Sequence, residues 1–179
     1  MVSALLQPEI LWRILCYGFL ILILASAEYS FFPSLCFFPA VPDLLLGATA
    51  AVSLLDTRRA SLVFSIAAGL MADAIGGVGA PLSALLYVAV ACVVGAFGEK
   101  MLPRYGSYLV LMLPSLLLRA GYSFLLFLLG DFSEGLWVFV GQRLVPEAAV
   151  TAAASLALYF LVRLSMLPFR EKRGLGERR

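Results

Sequence analysis

Residues 108–129 read YLVLMLPSLLLRAGYSFLLFLL, an apolar run that contains a single charged residue, Arg119. As a helix this run would be about 33 Å long, slightly more than the roughly 30 Å hydrocarbon core of a bilayer. The whole chain shares this character, because 63% of its 179 residues are hydrophobic and only 13% are charged. Soluble domains are about 45–50% apolar and about 25% charged. The sequence therefore predicts an all-α integral membrane protein.

Five further apolar segments accompany this run. Together the candidate spans cover residues 14–27, 41–55, 60–75, 81–97, 108–129 and 136–167. The first extends to residue 32 if Glu28 lies at the membrane interface. The second and third are short, so shallow spans, tilted neighbours or a re-entrant hairpin are alternatives to two full spans. We predict six full spans, because the charges of the connecting segments then agree with a single topology.

Among the connecting segments, basic residues lie only in alternate ones, and further basic residues lie in the tail. They are Arg58, Arg59, Lys100, Arg104 and five Lys or Arg residues beyond position 169. The other three connecting segments contain no Lys or Arg. Positively charged loops stay in the cytoplasm, so both termini are predicted to be cytoplasmic. We expect a six-helix transmembrane domain over residues 1–168 and a basic cytoplasmic tail over residues 169–179.

The residue types available limit the chemistry of the chain. It contains no histidine, which removes the commonest general base and metal ligand. Cys16, Cys36 and Cys92 are far apart, and we expect them to be buried as small apolar residues. No cluster has metal-ligand spacing, and only Asp43 with Asp73 could form a carboxylate pair. We predict no catalytic residues, no metal and no cofactor. The net charge of +2 does not indicate a nucleic-acid partner.

A few charges fall within the apolar segments. Arg119 and Glu147 lie near mid-membrane, and Arg143 lies one helical turn further out. Asp43 and Asp73 lie toward the outer side. An ionised group in lipid costs about 2.5 kcal/mol or more, so such groups normally face the bundle interior and pair. The depths predict an Arg119–Glu147 contact and a contact from Arg143 to Asp73 or Asp43. Such pairs could be structural links between helices or part of a substrate pocket, an ion path or a partner-docking site.

Residues 69–81 read GLMADAIGGVGAP, the most distinctive local pattern in the chain. It is not a phosphate-binding loop, because no Lys-Ser/Thr follows it. Glycines let helices approach closely and let the chain turn sharply. We therefore expect Gly69, Gly76, Gly79 and Ala84 to serve either helix packing within the chain or docking of a partner.

This stretch resembles the MreD family of bacterial rod shape-determining membrane proteins. That family has a Pro-Asp at the start of one helix and then the pattern G-L-x-x-D-x-x-x-G-x-x-x-G-x-x-A-L. The matching residues are Pro42-Asp43, Gly69-Leu70, Asp73, Gly76 or Gly77, Gly79 and Ala84-Leu85. The later glycines are displaced by a residue or two. The match covers residues 42–86, about a quarter of the chain.

The resemblance implies a multi-pass subunit of the bacterial inner membrane in the cell-elongation machinery, or elongasome, which inserts peptidoglycan into the side wall. Its implied partners are membrane lipid and the single-span protein MreC. Through MreC they extend to the MreB cytoskeleton, the glycosyltransferase RodA and its transpeptidase. The resemblance also implies a fold similar to the substrate-binding subunits of vitamin ECF transporters.

Three functions are compatible with these residues. The first is a non-enzymatic scaffold that docks the MreC span against small residues such as Gly69, Gly76 and Ala84. The second is a small-molecule or lipid-binding subunit of a transporter, which the charged side chains within the spans would serve. The third is a proton or ion path, although no chain of titratable groups crosses the inner half of the membrane.

Overall fold

A computed structural model describes residues 8–34, 41–76, 82–98, 105–129 and 136–176 as helices with short connections. The first helix, α1, comprises Pro8–Ser26, a π-helical segment over Ala27–Phe31 and a last turn over Phe32–Ser34. The next four are α2 (Leu44–Leu55), α3 (Arg58–Gly76), α4 (Ser83–Gly98) and α5 (Tyr105–Leu129). The last, α6, comprises Leu136–Phe139, a second π-helical segment over Val140–Leu144 and Val145–Gly176. The described part contains no strand, which confirms the all-α prediction.

The first and last helices are longer than the sequence pattern predicts. The predicted first segment reaches residue 32 at most, but the helix continues through Pro33 to Ser34. In the π-helical segment that precedes this turn, the Phe32 amide donates to the Ala27 carbonyl, five residues earlier. At the other end of the chain, α6 passes residue 168 without a break. The first part of the predicted tail is therefore helical as far as Gly176.

Within the described ranges, three stretches of helix are long and apolar enough to cross a membrane, namely Trp12–Phe31, Tyr105–Leu129 and Leu136–Ser165. Two other apolar helices, α2 and α4, are shorter. Their lengths are about 18 Å and about 24 Å, against a hydrocarbon core of about 30 Å. The chain therefore has the helices of a membrane protein, but they differ widely in length.

The shortest helix, α2, lies at the centre of the bundle and contacts all five other helices. Every residue from Leu44 to Leu54 is buried, including the polar Thr49 and Ser53. Both hydroxyls donate to the carbonyl four residues earlier, at 2.7 Å, so neither is left without an acceptor. A helix that is apolar on every face is one that packs against protein on every face.

The other five helices expose large apolar side chains on the outside of the bundle. Among the most exposed are Leu85 (70%), Leu117 (72%) and Trp137 (85%). An exposed apolar surface of this extent suits contact with lipid rather than with water. Cys92 is also exposed, so the expectation of a buried thiol there is wrong. Cys16 is half-buried, and Cys36 lies outside the described residues.

Helices α3 and α4 cross at Gly69. A Cβ atom added to Gly69 would lie 2.2 Å from the Ala84 Cα and 2.7 Å from its backbone nitrogen. No side chain can occupy that space, so the absence of a Cβ allows the two backbones to touch. Asp73, one turn later, accepts hydrogen bonds from the Ser83 amide (3.1 Å) and the Ala84 amide (3.4 Å). The two helices are thus joined by close packing and by a carboxylate that caps α4.

Candidate functional site

Asp43 is the centre of a polar cluster at the start of α2. Its Oδ1 accepts from the Leu46 amide at 2.8 Å, which makes it the N-cap of the helix. The same oxygen accepts from the Tyr87 hydroxyl at 2.9 Å, and the Asp43 amide donates to Thr151 Oγ1 at 3.0 Å. The residue is only 2% exposed. Asp43 therefore fixes the start of α2 relative to both α4 and α6.

A second carboxylate caps the same helix from α1. Glu28 Oε2 accepts from the Leu44 amide at 3.0 Å and the Leu45 amide at 3.3 Å. The first amides of a helix have no partners within it, and its N-terminus carries a partial positive charge, so two carboxylates suit this position. We expected Glu28 at the membrane interface, and in the structure its side chain is buried against the start of α2. It lies in the π-helical segment of α1, a local change of helix geometry that the apolar pattern does not reveal.

Arg119 joins this cap to the last two helices. Its Nε lies 3.2 Å from Asp43 Oδ2. The same Nε lies 3.1 Å from Glu147 Oε1, and Nη2 lies 3.0 Å from that Glu147 oxygen. The guanidinium also lies over the Tyr122 ring, 5.8 Å from its centroid. The predicted contact between Arg119 and Glu147 is confirmed. The guanidinium thus connects α2, α5 and α6 at one point.

The predicted contact of Arg143 with Asp43 or Asp73 stays a prediction. Among the described residues, Asp43 pairs with Arg119, and Asp73 accepts backbone amides of α4. From the sequence we expected Arg119 to lie level with Glu147 alone, but it also reaches Asp43 at the buried start of α2. The side chain of Arg143 lies outside the described part of the structure.

The cluster brings together three carboxyl groups, Glu28, Asp43 and Glu147, against one guanidinium and the N-terminus of one helix. Each carboxyl group accepts from a charged or backbone donor. Pairing of this kind is needed for charged groups away from water, since removing one partner leaves the other with an uncompensated desolvation cost. Among the described residues, no group of three His, Cys, Asp or Glu side chains is arranged to hold a metal ion.

A narrow cleft opens beside the Arg119–Glu147 pair, between α5 and α6. Its lining consists of Leu116, Arg119, Ala120, Ser123, Leu144, Glu147, Ala148 and Thr151. The cavity volume of about 10 Å³ is close to what one water molecule needs. Sites for small organic ligands have volumes of about 300–1,000 Å³. The cleft as it stands can admit a small polar group but not a vitamin.

A second polar cluster fixes the opposite end of α2. Asp56 pairs with Arg13 of α1 at 3.3 Å and accepts from the Tyr17 hydroxyl. The Ser53 and Ser61 hydroxyls are 2.8 Å apart across the turn to α3. Tyr17 and Glu28 are eleven residues apart on α1, about 17 Å, which matches the length of about 18 Å for α2. Helix α1 therefore lies antiparallel to α2 and is linked to it at both ends.

The small residues expected to dock a partner have two different outcomes. Gly69 is buried against Ala84 of the same chain. We expected this pair to serve either helix packing within the chain or docking of a partner, and this contact supports packing within the chain. Gly76 is the last residue of α3, and Gly79 lies outside the described residues.

The fold and the cluster place the chain in a broad class of α-helical proteins. Their helices are suited to crossing a membrane, and their charged groups pair inside the bundle. A scan against models of known protein families, a search of curated proteins and a search of solved structures each found no match to this chain.

Proposed function

We propose that this chain is a non-enzymatic scaffold subunit of the bacterial elongasome, of the MreD type, in the inner membrane. In this role it supports rod shape and side-wall peptidoglycan synthesis by docking the single-span protein MreC. MreC in turn links it to MreB, RodA and the transpeptidase. The sequence resemblance over residues 42–86 is the basis for naming this machinery.

The scaffold role is supported by one observation, that the charged side chains within the bundle bind one another and helix N-termini. Arg119 contacts both Asp43 and Glu147, and Glu28 and Asp43 cap α2. These groups join four helices into one body, and the cleft beside them has a volume of only about 10 Å³. A rigid bundle whose polar groups bind one another is suited to presenting a fixed surface.

The residues that carry the resemblance also have connecting roles. Asp43 caps α2 and Asp73 caps α4, while Gly69 allows α3 to touch α4 at Ala84. A motif made of such residues would be shared by proteins with the same arrangement of helices. This supports the assignment to the MreD type without depending on a catalytic residue.

Six crossings with cytoplasmic termini remain part of the proposal. Helix α2 is too short to span a bilayer in contact with lipid, but it is surrounded by protein. The polar clusters at its two ends, at Asp43 and Asp56, replace the interfacial groups that a lipid-facing helix would need. The lengths of α2 and α4 are therefore compatible with a six-span bundle.

The alternative is a small-molecule or lipid-binding subunit of a transporter. It is favoured by one observation, that the Arg119 and Glu147 side chains are partly uncovered at the cleft, at 27% and 18%. The size of the cleft and the pairing of the charges do not favour it. A transporter subunit would retain its ligand through purification, whereas the scaffold would retain a protein.

The proposal is tested by replacing MreD in a rod-shaped bacterium. The chain is expressed with the MreC of its own genome in cells depleted of MreD, and an unrelated six-span protein serves as control. We expect rod shape to return and MreC to co-purify with the chain in mild detergent. Spherical cells together with no recovery of MreC would contradict the proposal.

A further inference from the structure

The Arg119–Glu147 pair has unused hydrogen-bonding capacity in the apolar part of the molecule. The guanidinium donates from Nε to Glu147 Oε1, with Nη2 at ion-pair distance from the same oxygen, and its approach to Asp43 Oδ2 is an ion-pair contact without a hydrogen bond; Glu147 uses only Oε1. Neither Arg119 Nη1 nor Glu147 Oε2 has a partner among the described residues. Arg119 lies near the middle of α5, where surrounding lipid offers neither donor nor acceptor.

The walls of the cleft permit close approach from outside the bundle. Ala120 and Ser123 lie on the α5 side, and Ala148 lies on the α6 side. Small residues let a second helix come near enough for short side chains to make contact. Exposed apolar side chains follow the lining residues in sequence, Leu117 after Leu116 in α5 and Val145 after Leu144 in α6. The surface thus combines an apolar surround with one donor and one acceptor at its centre.

The pairing of a donor with an acceptor limits which occupant fits. A phosphate or carboxylate would satisfy Arg119 but would be repelled by Glu147. A lysine or arginine side chain would satisfy Glu147 but leave Arg119 Nη1 without an acceptor. A hydroxyl or a carboxamide both accepts and donates, so either can serve the two groups at once. A hydroxyl is also close in size to the water-sized cavity.

We propose that this cleft, the Arg119–Glu147 cleft, receives a Ser, Thr, Asn or Gln side chain from the transmembrane helix of the single-span partner. The inference rests on the proposed function, since it specifies where and through which chemistry that partner docks. Interhelical hydrogen bonds of this kind strengthen the association of membrane helices. They add to the van der Waals packing of apolar side chains.

The first test fills the cleft from the side of this chain. Ala148→Phe blocks the cleft, and Ala153→Phe adds the same ring to an exposed position of the same helix. Each variant is co-expressed with the partner, and the partner recovered in mild detergent is measured against wild type. We expect recovery to fall at least tenfold for A148F and to stay within twofold for A153F. Equal recovery with both variants would overturn the inference.

The second test leaves this chain unchanged, so it remains decisive if A148F fails to fold. Every Ser, Thr, Asn and Gln in the partner's membrane span is replaced with Ala, and an equal number of its apolar residues is replaced in a control. We expect a loss of recovery of at least fivefold for the first set alone. A partner span that contains none of these four residues, or one that docks equally well without them, would show that the cleft holds only water.

The two tests separate this inference from the proposed function. If the wild-type chain recovers no MreC, the proposed function fails before the cleft is examined. If wild type recovers MreC and neither set of substitutions changes the amount, the scaffold role stands and docking at the Arg119–Glu147 cleft is wrong.

Discussion

Arg119 Nε lies 3.2 Å from Asp43 Oδ2, so a side chain of α5 holds the N-cap of the buried helix α2. The same guanidinium binds Glu147 of α6. The contact is formed by residues 76 positions apart in the sequence, and α5 also reaches α2 through the Tyr108 hydroxyl, which donates to the Gly47 carbonyl at 3.1 Å. The stability of the bundle should therefore depend on this one side chain far more than on its apolar neighbours.

Replacing Arg119 with Leu should destabilise the protein by about 3 kcal/mol or more, because Asp43 and Glu147 would lose their shared cation inside the bundle. Arg119→Lys should cost less, since it keeps the charge but cannot reproduce the forked contacts of a guanidinium. The measurement is the unfolding midpoint of both variants in mild detergent. An R119L protein as stable as wild type would contradict this account of the cluster.

Replacing Gly69 with Ala should force α3 and α4 apart, because the new Cβ would lie 2.2 Å from the Ala84 backbone. We expect a loss of about 1–3 kcal/mol, typical of overpacking. Gly95→Ala in α4 is the matched control, since a Cβ there meets nothing within 4 Å. It should be neutral or stabilising, because alanine favours a helix over glycine by about 1 kcal/mol. Equal melting of G69A and G95A would argue against the close crossing.

Replacing Glu28 with Leu should leave the Leu44 and Leu45 amides without their acceptor in a buried position. Unsatisfied buried donors cost about 1–3 kcal/mol, so the unfolding midpoint of E28L should fall clearly. Glu28→Gln keeps an acceptor oxygen of the same shape and should lose less than half as much. If E28Q and E28L lose the same stability, the role of Glu28 as a cap is wrong.

Arginine substitutions at two depths of α5 test its position in the membrane. Leu117 and Leu129 are both exposed, at 72% and 76%, but Leu117 lies mid-helix and Leu129 is the last residue. An arginine at the centre of a span costs about 2.5–3.5 kcal/mol of insertion free energy, whereas one at the end can reach the interface. L117R should reduce the fraction integrated into membranes, and L129R should not. Equal integration of both would contradict a transmembrane α5.

The positions of the helices were predictable because apolar runs determine where helices form in a membrane protein. The Arg119–Glu147 contact was also predictable, since both residues lie near mid-span and an unpaired charge there is costly. We expected Asp43 or Asp73 to contact Arg143 and did not expect the contact between Asp43 and Arg119. The position of a residue along its span does not reveal which faces of two helices meet. Nothing in the pattern indicated that Tyr87 and Thr151 would contact Asp43.

Glu28 shows a different limit of the sequence. A carboxylate at the end of an apolar run next to aromatic residues is typical of a membrane interface. Glu28 lies in the π-helical segment over Ala27–Phe31 and also caps the start of α2. A change from one helix geometry to another depends on the packing of the finished bundle. Local composition therefore gave no sign of it.

If the chain is the proposed membrane scaffold, it retains a protein partner and no small ligand. Native mass spectrometry of the chain, purified in mild detergent from cells that also express MreC, tests this most directly. We expect a complex of the 19.3 kDa chain with a single-span protein that has the mass of MreC. A chain without MreC that instead carries a stoichiometric small molecule would contradict it.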